Sequence, residues 1–260
     1  MTAAVNNLLM KIITWNCNMA FRNKAHLISA YQPDILIVPE CENPERLKYK
    51  DPAHKPAHAA WFGENPHKGI GVFSYTAFTF KILALHNKRF KLVIPILASN
   101  GISNLILFAV WANNPKDKDG QYVTQVWKAI QYYSALLKNE YVVLAGDFNS
   151  NSIWDRPRRA GNHTDVVLKL AERNIHSVYH KHFKLTHGKE QHPTHYLYRH
   201  RDKPYHLDYC FVSSNLLKRL KSVEVGDHPV WSKYSDHMPV IATFSKGRLK
   251  SKQPIRASVL

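Results

Sequence analysis

The feature that most limits the folds open to this chain is a succession of short apolar, β-branched runs, each closing on a polar or acidic residue. Lys11–Cys17, Asp34–Glu40, Gly69–Ser74, Phe90–Leu97 and Asn104–Trp111 are too short for typical helices and rich in Val, Ile and aromatic side chains, so they read as strands. Tyr141–Asp147, Leu207–Ser213 and Val240–Phe244 continue the series. Helical spacing is confined to Asn23–Ala30, Gln121–Leu137 and a stretch from Thr164 to Arg173. In the last of these, Thr164 is placed to cap the amino end and Asp165 suits the positive end of the helix dipole. Strands outnumber helices, and no strand–helix alternation is kept throughout. Two packed sheets with helices outside fit this pattern better than a doubly wound sheet.

A single domain over residues 10–245 is expected, followed by a basic tail, 246–260, that runs past the last strand. Lys and Arg number 36 against 19 Asp and Glu, a formal charge of +17. A field of that sign draws polyanions, so nucleic acid and anionic membrane surfaces both stand as partners. Cys17, Cys41 and Cys210 form an odd set without a close pair, which offers neither a disulfide framework nor a zinc-finger spacing. Met1–Met10 lacks the basic region and cleavage site of a secretory signal. The longest apolar run, Leu105–Ala112, is far too short to span a bilayer. A reducing cytoplasm is the expected compartment.

The chemistry-bearing residues stand at the ends of the apolar runs. Asn16 lies near the end of the first, Glu40 closes the second, and Asp147 closes Tyr141–Asp147 just ahead of Asn149. Asp208 opens a later strand, and Asp236–His237 directly precede the last. A carboxylate beside an apolar strand is costly to desolvate unless it is paired or holds a metal. One such acid is ordinarily a strand-end cap. Four acids with two asparagines and a histidine point to a site.

Thr14-Trp15-Asn16, Pro39-Glu40, Gly146-Asp147-Phe148-Asn149, Leu207-Asp208-Tyr209 and Ser235-Asp236-His237-Met238-Pro239 follow one another in this order. Together they resemble the signature of the endonuclease/exonuclease/phosphatase superfamily, over residues 11–245. The resemblance implies a four-layer α/β/β/α sandwich, two mixed sheets flanked by helices, and metal-dependent hydrolysis of phosphodiesters. Position by position, Glu40 looks like the principal ligand of a hard divalent cation, Mg2+ with Mn2+ as substitute, for which carboxylate oxygen is the preferred donor. Asn16 and Asp236 would lie in or near its coordination sphere. Asp147 resembles the aspartate that orients or deprotonates the attacking water, and Asn149 the residue that hydrogen-bonds the phosphate or the nucleophile. His237 matches the histidine that stabilises charge developing at phosphorus, with Asp208 fixing its ring.

The chain departs from the family pattern in two places. Asn18 stands where many relatives carry an acid, and Trp111, which cannot transfer a proton, stands nearest to a family Tyr or His. Both departures bear on metal stoichiometry and on the leaving-group acid. Thr194, after Pro193, occupies a place where relatives often have a threonine near the site.

Substrate contacts are expected from His67, Lys68 and Trp111, and from Trp154 with Arg156, Arg158 and Arg159, which join cations to an aromatic face. His180 and His182 read as surface or loop residues, because no sequence neighbour completes a zinc site. The expected function is a monomeric nuclease on DNA rather than RNA, endo- or exonucleolytic, with abasic sites as one target. Two rivals stand: the same chemistry on inositol-phosphate or phospholipid head groups, and a non-catalytic nucleic-acid-binding protein on the same fold.

Overall fold

The computed structural model of the protein describes residues 9–49, 51–90, 92–113, 121–157 and 159–249. Its first strands are β1 (Leu9–Thr14), β2 (Ile35–Cys41), β3 (His58–Asn65), β4 (Lys68–Ser74) and β5 (Thr79–Ile82). Then come β6 (Val93–Ser99), β7 (Asn104–Trp111), β8 (Val142–Asp147), β9 (Ile175–Ser177), β10 (His195–Tyr196) and β11 (Pro204–Tyr205). The last are β12 (Asp208–Ser213), β13 (Leu220–Val225) and β14 (Val240–Ser245). Interspersed are helices α1 (Ala25–Ser29), α2 (Val123–Tyr132), α3 (His163–Ala171), α4 (Val178–Phe183), α5 (Ser214–Leu217) and α6 (His228–Trp231).

Two six-stranded mixed sheets result, ordered β13-β14-β1-β2-β4-β3 and β5-β6-β7-β8-β12-β9, with β10 and β11 forming a small ribbon. Side chains alternate across each strand. Ile12, Ile35 and Ile37 of the first sheet therefore meet Leu105, Leu107 and Ala109 of the second in a shared core. The alternate residues Ile13, Leu36 and Val38 face outward, where Ala25 and Ile28 of α1 and Trp231 of α6 cover them. On the far side, Ile106, Phe108 and Val110 are covered by Val126 and Ile130 of α2 and by Val166 and Leu170 of α3. Burying one Ile or Leu in such a core contributes about 1.5–3 kcal/mol over leaving it exposed. The four layers are helix, sheet, sheet, helix, as the strand pattern and the resemblance led us to expect.

Three local readings change. The N-cap of α3 is Asn162, whose N–H donates to Asp165 at 2.9 Å; Thr164 lies inside the helix and gives its N–H and hydroxyl to Asp155. The helix expected over Gln121–Leu137 stops at Tyr132, because Tyr133 turns its ring onto Phe90 and Phe108 and its hydroxyl to the Asn87 N–H. His180 is buried and bonded to Glu190 rather than lying on the surface, whereas His182 is exposed. Of the expected tail, Leu249 is buried and exchanges hydrogen bonds with Asn104 and Ser103; residues 250–260 lie outside the described residues.

Candidate active site

The pairing of strands brings the site together. β8 lies between β7, parallel, and β12, antiparallel, in a register that sets Asp147 opposite Trp111 on one side and Asp208 on the other. The approach to β7 is close at Gly146, where a Cβ would stand 1.8 Å from the Val110 carbonyl oxygen and φ is +146°. Only glycine fits there without strain. In the other sheet β1 and β2 run parallel, so Asn16 and Glu40 emerge at the same end. Glu40 sits on a break in register between Pro39 and Cys41, with φ +60°. Such bulges re-aim a side chain. β14 runs antiparallel to β1 and brings Asp236 and His237 to this end at its start. The Trp15 indole donates to the His237 carbonyl (3.0 Å), and the Ser235 hydroxyl donates to the Asn16 carbonyl (2.8 Å), fixing the two segments together.

The two sheets meet through Asn16. Its Nδ2 donates to Asp147 Oδ2 at 3.0 Å and reaches Glu40 Oε1 at 3.4 Å. Asp147 also accepts from the Asn149 backbone N–H (2.8 Å) and side-chain amide (3.0 Å), the backbone of Asn149 turning with φ +45°. Asp208 is fully buried; its Oδ2 accepts from His237 Nδ1 at 2.8 Å. Its Oδ1 has no partner among the described residues. Thr194 Oγ1 accepts from the N–H groups of both Leu207 and Asp208 at 2.9 Å, the role its sequence position left open.

The electrostatics follow from this burial. Desolvation alone would drive the His237 ring neutral, but the charges of Asp208 and then Asp147 outweigh it and raise its pKa to about 10. Desolvation raises Asp147 to about 7, against the pull of His237 and the hydrogen bond from Asn16. Asp236 is driven upward by burial, yet His195 and His237 overcome this and hold it at about 2.

Of the residues expected to bind metal, Asn16 and Glu40 converge. Asp236 lies with His195 and His237, its Oδ1 accepting from Asn18 Nδ2 (2.8 Å) and its Oδ2 3.7 Å from His195 Nε2. The donor set at Glu40, Asn16 and Asp147 is oxygen-rich, which suits a hard divalent cation. Lys68 Nζ, 3.1 Å from Glu40 Oε2 and 5.2 Å from the centre of the Trp111 ring, already sets a positive charge against that carboxylate.

The expected substrate residues are more scattered. Trp111 is buried beneath Lys68, so it presents no free face. His67 is exposed and bonded to Arg46. Trp154 is 47% exposed and lies 5.0 Å from the Tyr205 ring. Arg156 is exposed, and Arg159 donates to Thr124 Oγ1 at 2.8 Å. Arg158 lies outside the described residues. Lys24 turns its ammonium onto the carbonyls of Cys17, Asn18 and Met19. One member of the site is not evident in the sequence: His195, whose ring centre is 4.5 Å from that of His237 and whose backbone bridges it. Its only signal is its place directly after Thr194.

Fold and site together define an α/β/β/α sandwich hydrolase with a carboxylate–histidine centre at one end of its paired sheets. The chain belongs to the Endonuclease/Exonuclease/phosphatase family, whose model matches residues 13–237. It is accordingly a hydrolytic enzyme of a metal-dependent family. Among solved structures it is similar to a variant of the 3' phosphatase NExo from Neisseria bound to product DNA hairpin, at TM-score 0.63 and 21% identity over 91% of this chain and 100% of that one. It is also similar to an AP endonuclease from Archaeoglobus fulgidus (TM-score 0.62, 19% identity, 90% and 99% covered). An AP endonuclease from Leishmania major gives TM-score 0.63 and 15% identity, with 93% and 89% covered. A search of curated protein sequences finds no match. No helix among the described residues is long and apolar enough to cross a membrane.

Proposed function

We propose that this chain is a Mg2+-dependent phosphodiesterase that hydrolyses nucleic acid, DNA ahead of RNA, by in-line attack of water. The observation that carries the reading is the buried Asp208–His237 pair beside Asp147. A cationic imidazolium at 2.8 Å from a fully buried carboxylate can stabilise charge that develops on a phosphoryl oxygen. Asp147 has a proton affinity raised into the neutral range, which suits it to take a proton from water, and Asn149 and Asn16 hold its carboxylate in place. Glu40 and Asn16 would hold the cation, Asp236 standing beside them with His195 and His237 rather than at the same point, with Mn2+ as an alternative to Mg2+. A bound divalent ion supplies charge stabilisation to the non-bridging oxygens and the leaving group.

The net charge of +17 favours a polyanion, and the likeness to DNA-processing enzymes favours DNA, abasic sites included. Trp154 with Arg156, Arg158 and Arg159, and His67 with Lys68, would meet the backbone and an unstacked base. Action as a monomer is part of this proposal. The free, buried Cys17, Cys41 and Cys210 fit a reducing cytoplasm.

The experiment is cleavage of labelled single-stranded DNA, duplex DNA, abasic duplex, RNA and an inositol phosphate, each with magnesium, manganese and chelator. Chelator-sensitive cutting of DNA is expected. Phosphate release from the inositol substrate with all nucleic acids intact would move the chain to the head-group branch. Unchanged behaviour of Glu40→Gln and His237→Ala on every substrate would leave only a binding protein.

A further inference from the structure

We propose that the chain carries a second metal site, for a borderline transition ion of the Zn2+ type, built from His180, His187 and Glu190. One ligand atom from each of the three lies within 4.8 Å of the others. The group belongs to α4 and the loop after it, and shares no residue with the hydrolytic site. Two imidazoles and one carboxylate form a donor set that selects zinc-like ions over magnesium, which takes oxygen almost exclusively.

The surroundings are those of ligands held in position. Ser177 Oγ engages His180 Nδ1 at 2.8 Å, which leaves His180 Nε2 facing Glu190 Oε1 at 2.9 Å. The Glu190 carboxylate is only 5% exposed and is oriented by the Gly188 N–H (3.0 and 3.1 Å) and by Asn151 Nδ2 (3.1 Å). On the other side, His187 Nδ1 meets His163 Nε2 at 3.0 Å, and His163 Nδ1 meets Ser150 Oγ at 2.9 Å. Outer partners of this kind fix tautomer and ring direction in metal sites. The His180 and His187 rings stack with centres 3.5 Å apart, which two imidazolium ions would resist. His206 Nε2, buried close by, has no hydrogen-bond partner among the described residues. Both His180 and His187 also line a surface cavity of about 480 Å³, which gives an ion a way in.

The consequence is mechanical. The loop that carries His187 and Glu190 runs on to Thr194, whose hydroxyl holds the backbone of Asp208. An ion bound here would brace that loop against α3 and α4, and through Thr194 the acid that orients His237.

The test is zinc content of the full chain, stripped with chelator, reloaded with zinc and dialysed against excess magnesium. One zinc per chain is expected in the parent and in Glu40→Gln, with loss of the bound zinc in His187→Asn and in Glu190→Gln. At a hundredfold excess over its Kd, zinc should also raise the Tm of the parent by about 5–10 °C. Cobalt substitution of the parent should give the visible bands of a four-coordinate site, a readout that needs no variant to fold. A parent that retains no zinc and gives no cobalt bands overturns the proposal. So does zinc that persists in His187→Asn or is lost in Glu40→Gln, because it would then sit elsewhere.

Discussion

Asp208→Asn isolates the electrostatic core of the proposed mechanism. The side chain keeps its shape, but the charge opposite His237 Nδ1, 2.8 Å away and wholly buried, disappears. An imidazolium left there without its partner would cost about 3–5 kcal/mol, so the ring gives up its proton instead. The native rise of the His237 pKa from 6.5 to about 10 corresponds to about 5 kcal/mol in favour of the charged ring, net of burial. Asp208 is the larger of the charges that oppose burial there, so its removal takes away much of that preference. A neutral, unoriented ring stabilises developing phosphoryl charge poorly. The expected loss is about 10²–10³ in kcat, the scale of removing one preorganised transition-state donor. KM should change little, because the interaction strengthens only in the transition state. Steady-state kinetics on the best nucleic-acid substrate, with folding checked by circular dichroism, measure it. His237→Ala should lose a similar factor, and the double variant little more than either single one. Losses that multiply in the double variant would refute the idea that Asp208 works through His237.

Three further outcomes are expected. Gly146→Ala should destabilise the fold by at least about 4 kcal/mol, since its methyl would press on the Val110 carbonyl at 1.8 Å and φ there suits only glycine; an unfolding free energy from urea titration lowered by less than about 1 kcal/mol would contradict the close approach. Lys68→Ala removes a cation that competes for Glu40, a half-exposed pair worth about 0–1 kcal/mol, so half-saturating magnesium should fall by up to about fivefold. A rise in that concentration would mean that Lys68 assists the metal. In metal-free protein, burial holds His163 and His206 at about 4, below their ordinary 6.5. The unfolded chain therefore binds protons that the native chain refuses, and stability falls between about pH 6.5 and 4, by roughly 3 kcal/mol per histidine. Urea midpoints across that window test this, and a flat profile would count against neutral burial of both rings.

The strands legible in the sequence are those in the interior of the two sheets. β1, β2, β4, β6, β7, β8, β12 and β14 all appear as apolar runs because at least one face, and often both, is covered. The strands that leave no such trace, β3, β5, β9 and β13, are the four sheet edges. A half-exposed sequence such as LKSVEV in β13 has no need of continuous apolar character, so its pairing is decided by its neighbour and not by its own composition. The same division runs through the site. Glu40, Asp147, Asp208 and His237 are legible because they stand at ends of apolar strands in a recognisable order. His195 and the Glu190 cluster lie on long polar connections, and only the folded chain brings them against their partners. Trp111 reads in sequence as a contact surface because its strand-end position hides that Lys68 lies over it.

β1 lies between β2 and β14, so its one edge pairs with a strand close behind it and its other with nearly the last residues described, Leu9 opposite Ser245. During synthesis the ribosome therefore releases Asn16 and Glu40 long before Asp236 and His237. In the proposed mechanism, a growing chain therefore has no imidazolium until these last residues are made. Hydrolysis by the proposed mechanism would begin only when the final strand closes onto the first, which would make catalysis a report on completion of the fold. Fragments cut short before His237 should be inactive, and supplying the missing strand in trans is the natural way to switch such a fragment on.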